Sequence, residues 1–262
     1  VMMGSGVNAQ GANALMNAIV RYFPSPERAA RDSGVDLTTG EHFVANYKPD
    51  VNLSMKVFKT IADPFIGKYS LVKVLTGVLR ADSELFNTVK EVEEKSGKIY
   101  VLRGKEAIEV TELRPGDIGA MAKLNETETG DTLARKQAPI LYNAPQISKP
   151  YTYKAYVAKN KGDEDRIASG LAKLMEEDRT LRAEVDAENR QSLLYGIGDQ
   201  QLDIVVSKLA SRYKAEIVLE KPKFAFRETI RKKVESAGRY KKQSGGHGQF
   251  GDVKMSFEPS GD

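Results

Sequence analysis

Cysteine and tryptophan are absent from the 262 residues, and histidine occurs only twice. Without cysteine there is no disulfide framework, no thiolate metal site and no cysteine nucleophile, a composition that fits a reducing compartment. No window holds about 18 consecutive apolar residues, and the N-terminal stretch lacks a charged region followed by an apolar core. The expectation is a soluble, cytoplasmic protein with no membrane partner. A phosphate loop of the form G-x4-G-K-[S/T] is missing too: Gly67-Lys68 is followed by Tyr69, and Gly97-Lys98 by Ile99. Lacking that loop and its Mg²⁺ ligand, residues 1–262 are not expected to catalyse phosphoryl transfer. Nothing in the spacing of Asp63, Glu84, Glu93 and Glu94 pairs them as acid and base, so they read as solvated surface. No catalytic residue and no metal site is assigned.

What is present is an ordinary globular composition, 40% hydrophobic and 29% charged, in a chain long enough for two or three domains. Its charge is unevenly placed. Between Lys223 and Lys254 stand nine lysines and arginines against Glu228, Glu235 and Asp252, so the remainder of a chain of net charge +4 is net acidic. Such a cluster suits a phosphate backbone, although a solvated basic face has the same composition. At its centre lies Gly238–Glu258, GRYKKQSGGHGQFGDVKMSFE, where a basic run enters a glycine-dense loop and leaves as an alternating strand. Glycines 245, 246, 248 and 251 permit positive φ and close backbone approach. Lys241, Lys242 and Lys254 supply charge, and Tyr240 and Phe250 supply flat faces. The residues leave open a plain hairpin with a permissive turn and a finger that touches nucleic acid.

Taken in order, Val1–Met3 reads as a strand end, followed by Gly4-Ser5-Gly6 and a helix from about Gly11, with Leu15, Ala18, Ile19 and Tyr22 on one face. Pro24 stops it. This piece cannot bury its own apolar face and is expected to be the remnant, 1–28, of a larger domain. Residues 29–48, with Gly34 and Gly40, look like a linker. Short apolar or alternating runs at 55–61, 69–79, 84–89, 99–102, 107–110 and 118–124, separated by turn formers, predict a β-barrel over 49–138. Residues 139–148 form a second expected linker.

From 149 to 221 the hydrophobic period alternates between two and 3.6. Strands are predicted at 151–157, 181–185, 192–196 and 215–219, and helices at 163–178 and 199–213. The order β-α-β-β-α-β is the split βαβ of a ferredoxin-like α+β sandwich. Glu176-Glu177-Asp178 is expected to end the first helix in solvent. Residues 222–262, with strands expected at 224–234 and 252–257, are too few to fold alone and read as a truncated domain with exposed edges.

The run GRYKKQSGGHGQFGDVKMSFEP, preceded by KPKFAFRETI, resembles the start of the fourth domain of bacterial elongation factor G. FKTIADPFIGKYSLVKVLTGVL and NETETGDTL are similar to that family's second domain, and LAKLMEED and GIGDQQLDIVVSKLASRY to its third. VMMGSGVNAQGANALMNAIVRYFPSP resembles the end of its GTPase domain, with Ser5 and Gly6 in the loop that closes on the guanine base. The motifs occur in family order from end to end.

The resemblance implies a translational GTPase that binds the ribosome and promotes movement of tRNA and mRNA. Its cofactors would be GTP and Mg²⁺ in the full-length parent, with none for residues 1–262 alone. Its partners would be small-subunit rRNA, the decoding region and the tRNA–mRNA duplex, besides a GTPase domain and the rest of the fourth domain in cis. Ser244, Gly245, Gly246, His247, Gly248 and Gln249, with Lys241 and Lys242, would be the RNA-contacting tip. Gln249 matches the family glutamine that approaches the codon–anticodon duplex. Three departures point to a divergent paralogue: His247 stands where the family commonly has arginine, Gly6 where it has alanine, and Gly196–Leu202 reads GIGDQQL for the usual GMGELHL. A ribosome-recycling or ribosome-protection role and a freestanding RNA-binding module are the alternatives.

Overall fold

The computed structural model describes residues 1–29, 32–63, 67–104, 106–243, 245–246 and 248–259. Two compact units result, one of residues 1–185 and 191–222, the other of residues 186–190 and 223–262.

The larger unit begins with helix α1 (Ala12–Tyr22), which buries none of its residues. Its predicted apolar face is there, but Leu15, Ile19 and Tyr22 stand in the open. Val1–Met3 forms no strand. Next come β1 (Ser33–Asp36) and β2 (His42–Val44), which pair with each other and, through β1, with β13 (Ile140–Tyr142). Both segments expected to be linkers thus contribute strands, joined by hydrogen bonds between residues about a hundred positions apart. Gly34 is what lets β13 come so close: a Cβ there would lie 2.0 Å from the Leu141 carbonyl oxygen.

An eight-stranded antiparallel ladder follows, built from β3 (Ser54–Asp63), β4 (Gly67–Thr76), β6 (Glu84–Asn87), β7 (Val92–Lys95), β8 (Ile99–Arg103), β9 (Glu106–Val110), β11 (Ile118–Ala122) and β12 (Thr132–Ala134). Its order is β7-β6-β12-β3-β4-β11-β8-β9, while the short β5 (Leu79–Arg80) and β10 (Glu112–Leu113) form a separate pair. Residues from both ends of the ladder, Leu85 in β6 and Val110 in β9, pack into one cluster with Met55, Val72 and Leu133. The sheet therefore curls round its own core, as a barrel does, although no pairing of β7 with β9 closes it among the described residues. The sequence predicts fewer and longer runs here. The 69–79 run breaks at Gly77, whose φ of 66° only glycine adopts readily. The polar β7 escapes a hydrophobic-pattern search because its partner β6, not burial, holds it.

The same unit carries β14 (Thr152–Ala158), α2 (Glu164–Glu177), β15 (Arg182–Asp186), β16 (Gln191–Gly196), α3 (Asp199–Lys208), a π-helical turn (Leu209–Tyr213) and β17 (Ile217–Glu220). Sheet order β15-β16-β14-β17 is that of the split βαβ sandwich. Ile167, Leu171 and Leu174 of α2 and Leu202, Val205 and Leu209 of the second helical segment pack on Leu194 and Ile217 of the sheet. This is the helix stripe read from the sequence. The second helix ends in a π-turn where Gly170 of α2 leaves room: a Cβ on Gly170 would sit 2.7 Å from Leu209 Cδ2 and 3.2 Å from Tyr213 Cγ.

Glu177 and Asp178 are not left in solvent. Glu177 keeps only 11% of its side chain exposed and accepts the backbone N–H of Ala62 (3.0 Å) in β3. Asp178 accepts from the Thr180 hydroxyl (2.6 Å) and from Gln201 Nε2 (2.8 Å).

In the smaller unit, β18 (Val234–Lys242) and β19 (Gln249–Phe257) form one antiparallel hairpin. The strand expected at 224–234 does not form. Pairing starts at Val234, because the 224–233 stretch finds no partner strand among the described residues.

Candidate nucleic-acid interface

Hairpin register decides which side chains of the basic stretch share a face. Opposite pairs run Val234↔Phe257, Ser236↔Met255, Gly238↔Val253, Tyr240↔Gly251 and Lys242↔Gln249 on one face. On the other face they run Glu235↔Ser256, Ala237↔Lys254, Arg239↔Asp252 and Lys241↔Phe250. Alternation sends one set each way. The first face is apolar along its stem, through Val234, Val253, Met255 and Phe257, and turns polar only at its outer end with Lys242 and Gln249. The second carries Arg239, Lys241, Lys254 and the ring of Phe250.

Arg239 on the second face is oriented by its neighbours. The Arg239 guanidinium lies over the Phe250 ring, 5.3 Å from its centroid, and its Nε stands 4.0 Å from Asp252. Lys241 faces Phe250 directly across the ladder. A cation over a ring combines charge with a flat apolar surface, the pairing that nucleic-acid surfaces use. Composition shows the cations but not Arg239 against Phe250, eleven positions away; only the register reveals it.

Lys241, Lys242 and Gln249 are therefore brought together at the closed end of the hairpin, all exposed. Between them Gly245 has φ +72°, in the left-handed region that demands glycine. Gly246, Gly248 and Gly251 do not, and a Cβ on Gly246 or Gly251 meets nothing within 4 Å. Of the four glycines whose freedom permits positive φ, Gly245 alone uses it. Ser244 and His247 lie outside the described residues.

Ser5 and Gly6 belong to the larger unit. The Ser5 N–H donates to the Gln10 carbonyl (3.0 Å), and the Asn8 N–H reaches the Ser5 hydroxyl (3.4 Å). Gly4 and Gly11 are the glycines this turn needs, since a Cβ on either would come within 2.8 Å of a backbone oxygen; Gly6 has open space. Beside the turn is an open hollow of about 420 Å³ lined by Met2, Met3, Gly4, Ala9 and Leu15 among others. Ser5 and Gln10 line it as well. Among the described residues no group of three His, Asp or Glu could hold a metal ion.

Comparison with known families divides the chain into three consecutive matches. Residues 52–136 match the model of elongation factor G domain 2, residues 147–221 that of elongation factor G domain III, and residues 222–262 that of elongation factor G domain IV. The chain belongs to the elongation factor G family of translation factors. A crystal structure of a protein from Thermus thermophilus is similar over 96% of the chain, with 30% identity and a TM-score of 0.70. The chain spans 35% of that protein's length. In family terms the curled ladder is domain II, the split βαβ sandwich is domain III, and the hairpin belongs to domain IV. No helix among the described residues is long and apolar enough to cross a membrane.

Proposed function

We propose that this elongation factor G segment serves a ribosome-bound GTPase that moves tRNA and mRNA, with the hairpin end as the part that meets RNA. The observation that carries the reading is the pairing of Lys242 with Gln249 at the closed end of β18–β19, one step from the Arg239–Phe250–Lys241 face. An A-form duplex presents phosphates and 2′-hydroxyls rather than readable base edges in its deep groove. Lysines would meet the phosphates, and the Gln249 amide can both donate to and accept from a 2′-hydroxyl. The glycine turn keeps side chains out of the way.

GTP and Mg²⁺ belong, in this reading, to parts of the whole protein beyond residues 1–262, and the domain II and III pieces connect that motor to the hairpin. The test is single-round translocation by the whole protein on programmed ribosomes. Gln249→Ala should slow mRNA movement by about tenfold, the upper scale of a lost neutral hydrogen bond, with GTP affinity off the ribosome unchanged. Movement at the parental rate would overturn the role of Gln249. If movement is absent even in the parent while subunit splitting is present, the recycling alternative holds instead.

A further inference from the structure

The four-stranded sheet of domain III has two faces, and the helices cover only one. Leu194, Ile217, Leu219 and Tyr156 point to α2 and α3. Alternation places Tyr153, Ala155 and Val157 of β14, Leu193 and Tyr195 of β16, and Arg182 of β15 on the other face. There Tyr153 and Tyr195 are directly opposite across the two central strands. Their rings stack, with centroids 5.0 Å apart and an interplanar angle of 28°. Arg182, on the neighbouring strand, lays its guanidinium over the far side of this pair, 4.4 Å from the Tyr195 centroid. Glu184 fixes that guanidinium through a 3.1 Å contact to Nε.

Three planar groups from three adjacent strands thus form one ladder, Tyr153–Tyr195–Arg182. Tyr153 remains 36% exposed and Tyr151, two residues before it on the same strand side, 76% exposed. Ala155 and Leu193 make a close-packed floor beside them. No helix of this domain covers the tyrosines and the arginine, and an exposed aromatic face of this kind is a feature of binding surfaces.

We propose that this face is a stacking platform for unpaired bases of single-stranded RNA. Every base has a π-face, so a ladder of rings and a guanidinium accepts one without regard to sequence. Aromatic residues on the two central strands of a four-stranded βαββαβ sheet are the arrangement by which a widespread RNA-binding module holds bases. Glu184 and Glu220 share this face, so the sheet does not itself gather phosphates. The exposed Lys149 and Lys221 lie at the tyrosine end, beyond the starts and ends of β14 and β17, where the backbone of a stacked strand would pass. The occupant is a single strand and not a duplex, whose bases are already stacked on one another. This surface is independent of the hairpin.

The test titrates the 262-residue chain into a fluorescein-labelled single-stranded RNA octamer and, separately, into a duplex of the same length. Lys241→Ala/Lys242→Ala is made in the same protein to remove the hairpin contribution. Losing the open ring predicts about a tenfold weaker octamer affinity for Tyr153→Ala and a smaller loss for Tyr195→Ala, whose ring is covered by Tyr153 and Arg182 and acts by holding Tyr153 in place, with duplex affinity unchanged. Tyr153→Phe and Tyr195→Phe keep the ring and should bind as the parent does, which separates stacking from a folding defect. Photocrosslinking with 4-thiouridine should place the octamer on β14 and β16 whether or not Lys241 and Lys242 are present. Unchanged octamer affinity in both alanine variants overturns the platform. So do phenylalanine variants as weak as the alanine ones, and crosslinks confined to the hairpin.

Discussion

The carboxylate of Glu177, at the C-terminal end of α2, accepts the backbone N–H of Ala62 in β3 at 3.0 Å. The two residues belong to different domain matches, III and II, and 115 positions separate them. Arg212 donates to the same carboxylate at 3.0 Å, and Arg179 donates to the Thr129 carbonyl at 2.8 Å. Domain III is fastened to domain II by the Glu177–Ala62 and Arg179–Thr129 bonds, while Arg212 holds the Glu177 carboxylate from within domain III.

Replacing Glu177 should loosen that junction more than either domain. Glu177→Ala leaves Ala62 N–H and Arg212 without an acceptor in a half-buried site, a loss of about 1–3 kcal/mol. Hydrogen exchange at the Ala62 amide should speed up by about tenfold, while amides of the β4–β11 ladder keep their protection. Equal acceleration throughout the barrel would show that Glu177 supports the fold and not the junction.

Gly34→Ala tests whether the segment read as a linker is a strand. The new Cβ would fall 2.0 Å from the Leu141 carbonyl oxygen, backbone that cannot rotate away. Loss of β1–β13 pairing should cost about 2–4 kcal/mol, read as a lower urea midpoint. Gly40→Ala is no neutral control, since Gly40 has φ +75°; Thr38→Ala, in the exposed β1–β2 turn, is the better one and should shift the midpoint little.

Acid should weaken the domain III turn before it weakens the sandwich core. Burial pushes the Asp178 carboxyl up, but hydrogen bonds from the Thr180 hydroxyl, the Thr180 N–H and Gln201, with Lys208 nearby, outweigh it and hold Asp178 below the usual carboxylate range. A folded value below the unfolded one adds stability that is complete above the unfolded value, about 4, and is lost as pH falls through the folded value. Asp178→Asn should therefore lower stability at pH 7 and flatten its decline between about pH 5 and pH 2. A parallel decline in parent and variant would refute this.

At the hairpin end the glycines are not equivalent. Gly245→Ala places a side chain at φ +72° and should cost about 1 kcal/mol of hairpin order, seen as weaker duplex-RNA binding. Gly246→Ala has open space and ordinary φ, so binding within about twofold of the parent is expected. Equal losses in both would mean that the turn reorganises on contact.

Gln201 shows how a departure from a family motif acquires its meaning in the fold. It occupies a position where the family usually has histidine, and its amide works in both directions. The Oε1 accepts the Ile197 N–H at 2.7 Å, while the Nε2 donates to Asp178 Oδ2 at 2.8 Å and to Thr180 Oγ1 at 2.7 Å. A neutral imidazole has one donor and one acceptor nitrogen, so a single amide here makes one more bond. The sequence marks the substitution, but the bonded groups come from a helix end some twenty residues away.

Hydrophobic period and turn residues by themselves determined the split βαβ sandwich and the β-rich character of the preceding domain, and of the terminal hairpin only the returning strand over 252–257. Those signals are local, since a helix stripe or an alternating strand is written within one segment. Only the tertiary structure decided that the supposed linkers contribute strands, that Glu177 and Asp178 are bonded and not solvated, that one tip glycine of four takes a positive φ, and that Tyr153, Tyr195 and Arg182 form a ladder. Each of these depends on which distant residue lies opposite. Register and packing set that partner, and no single segment encodes it.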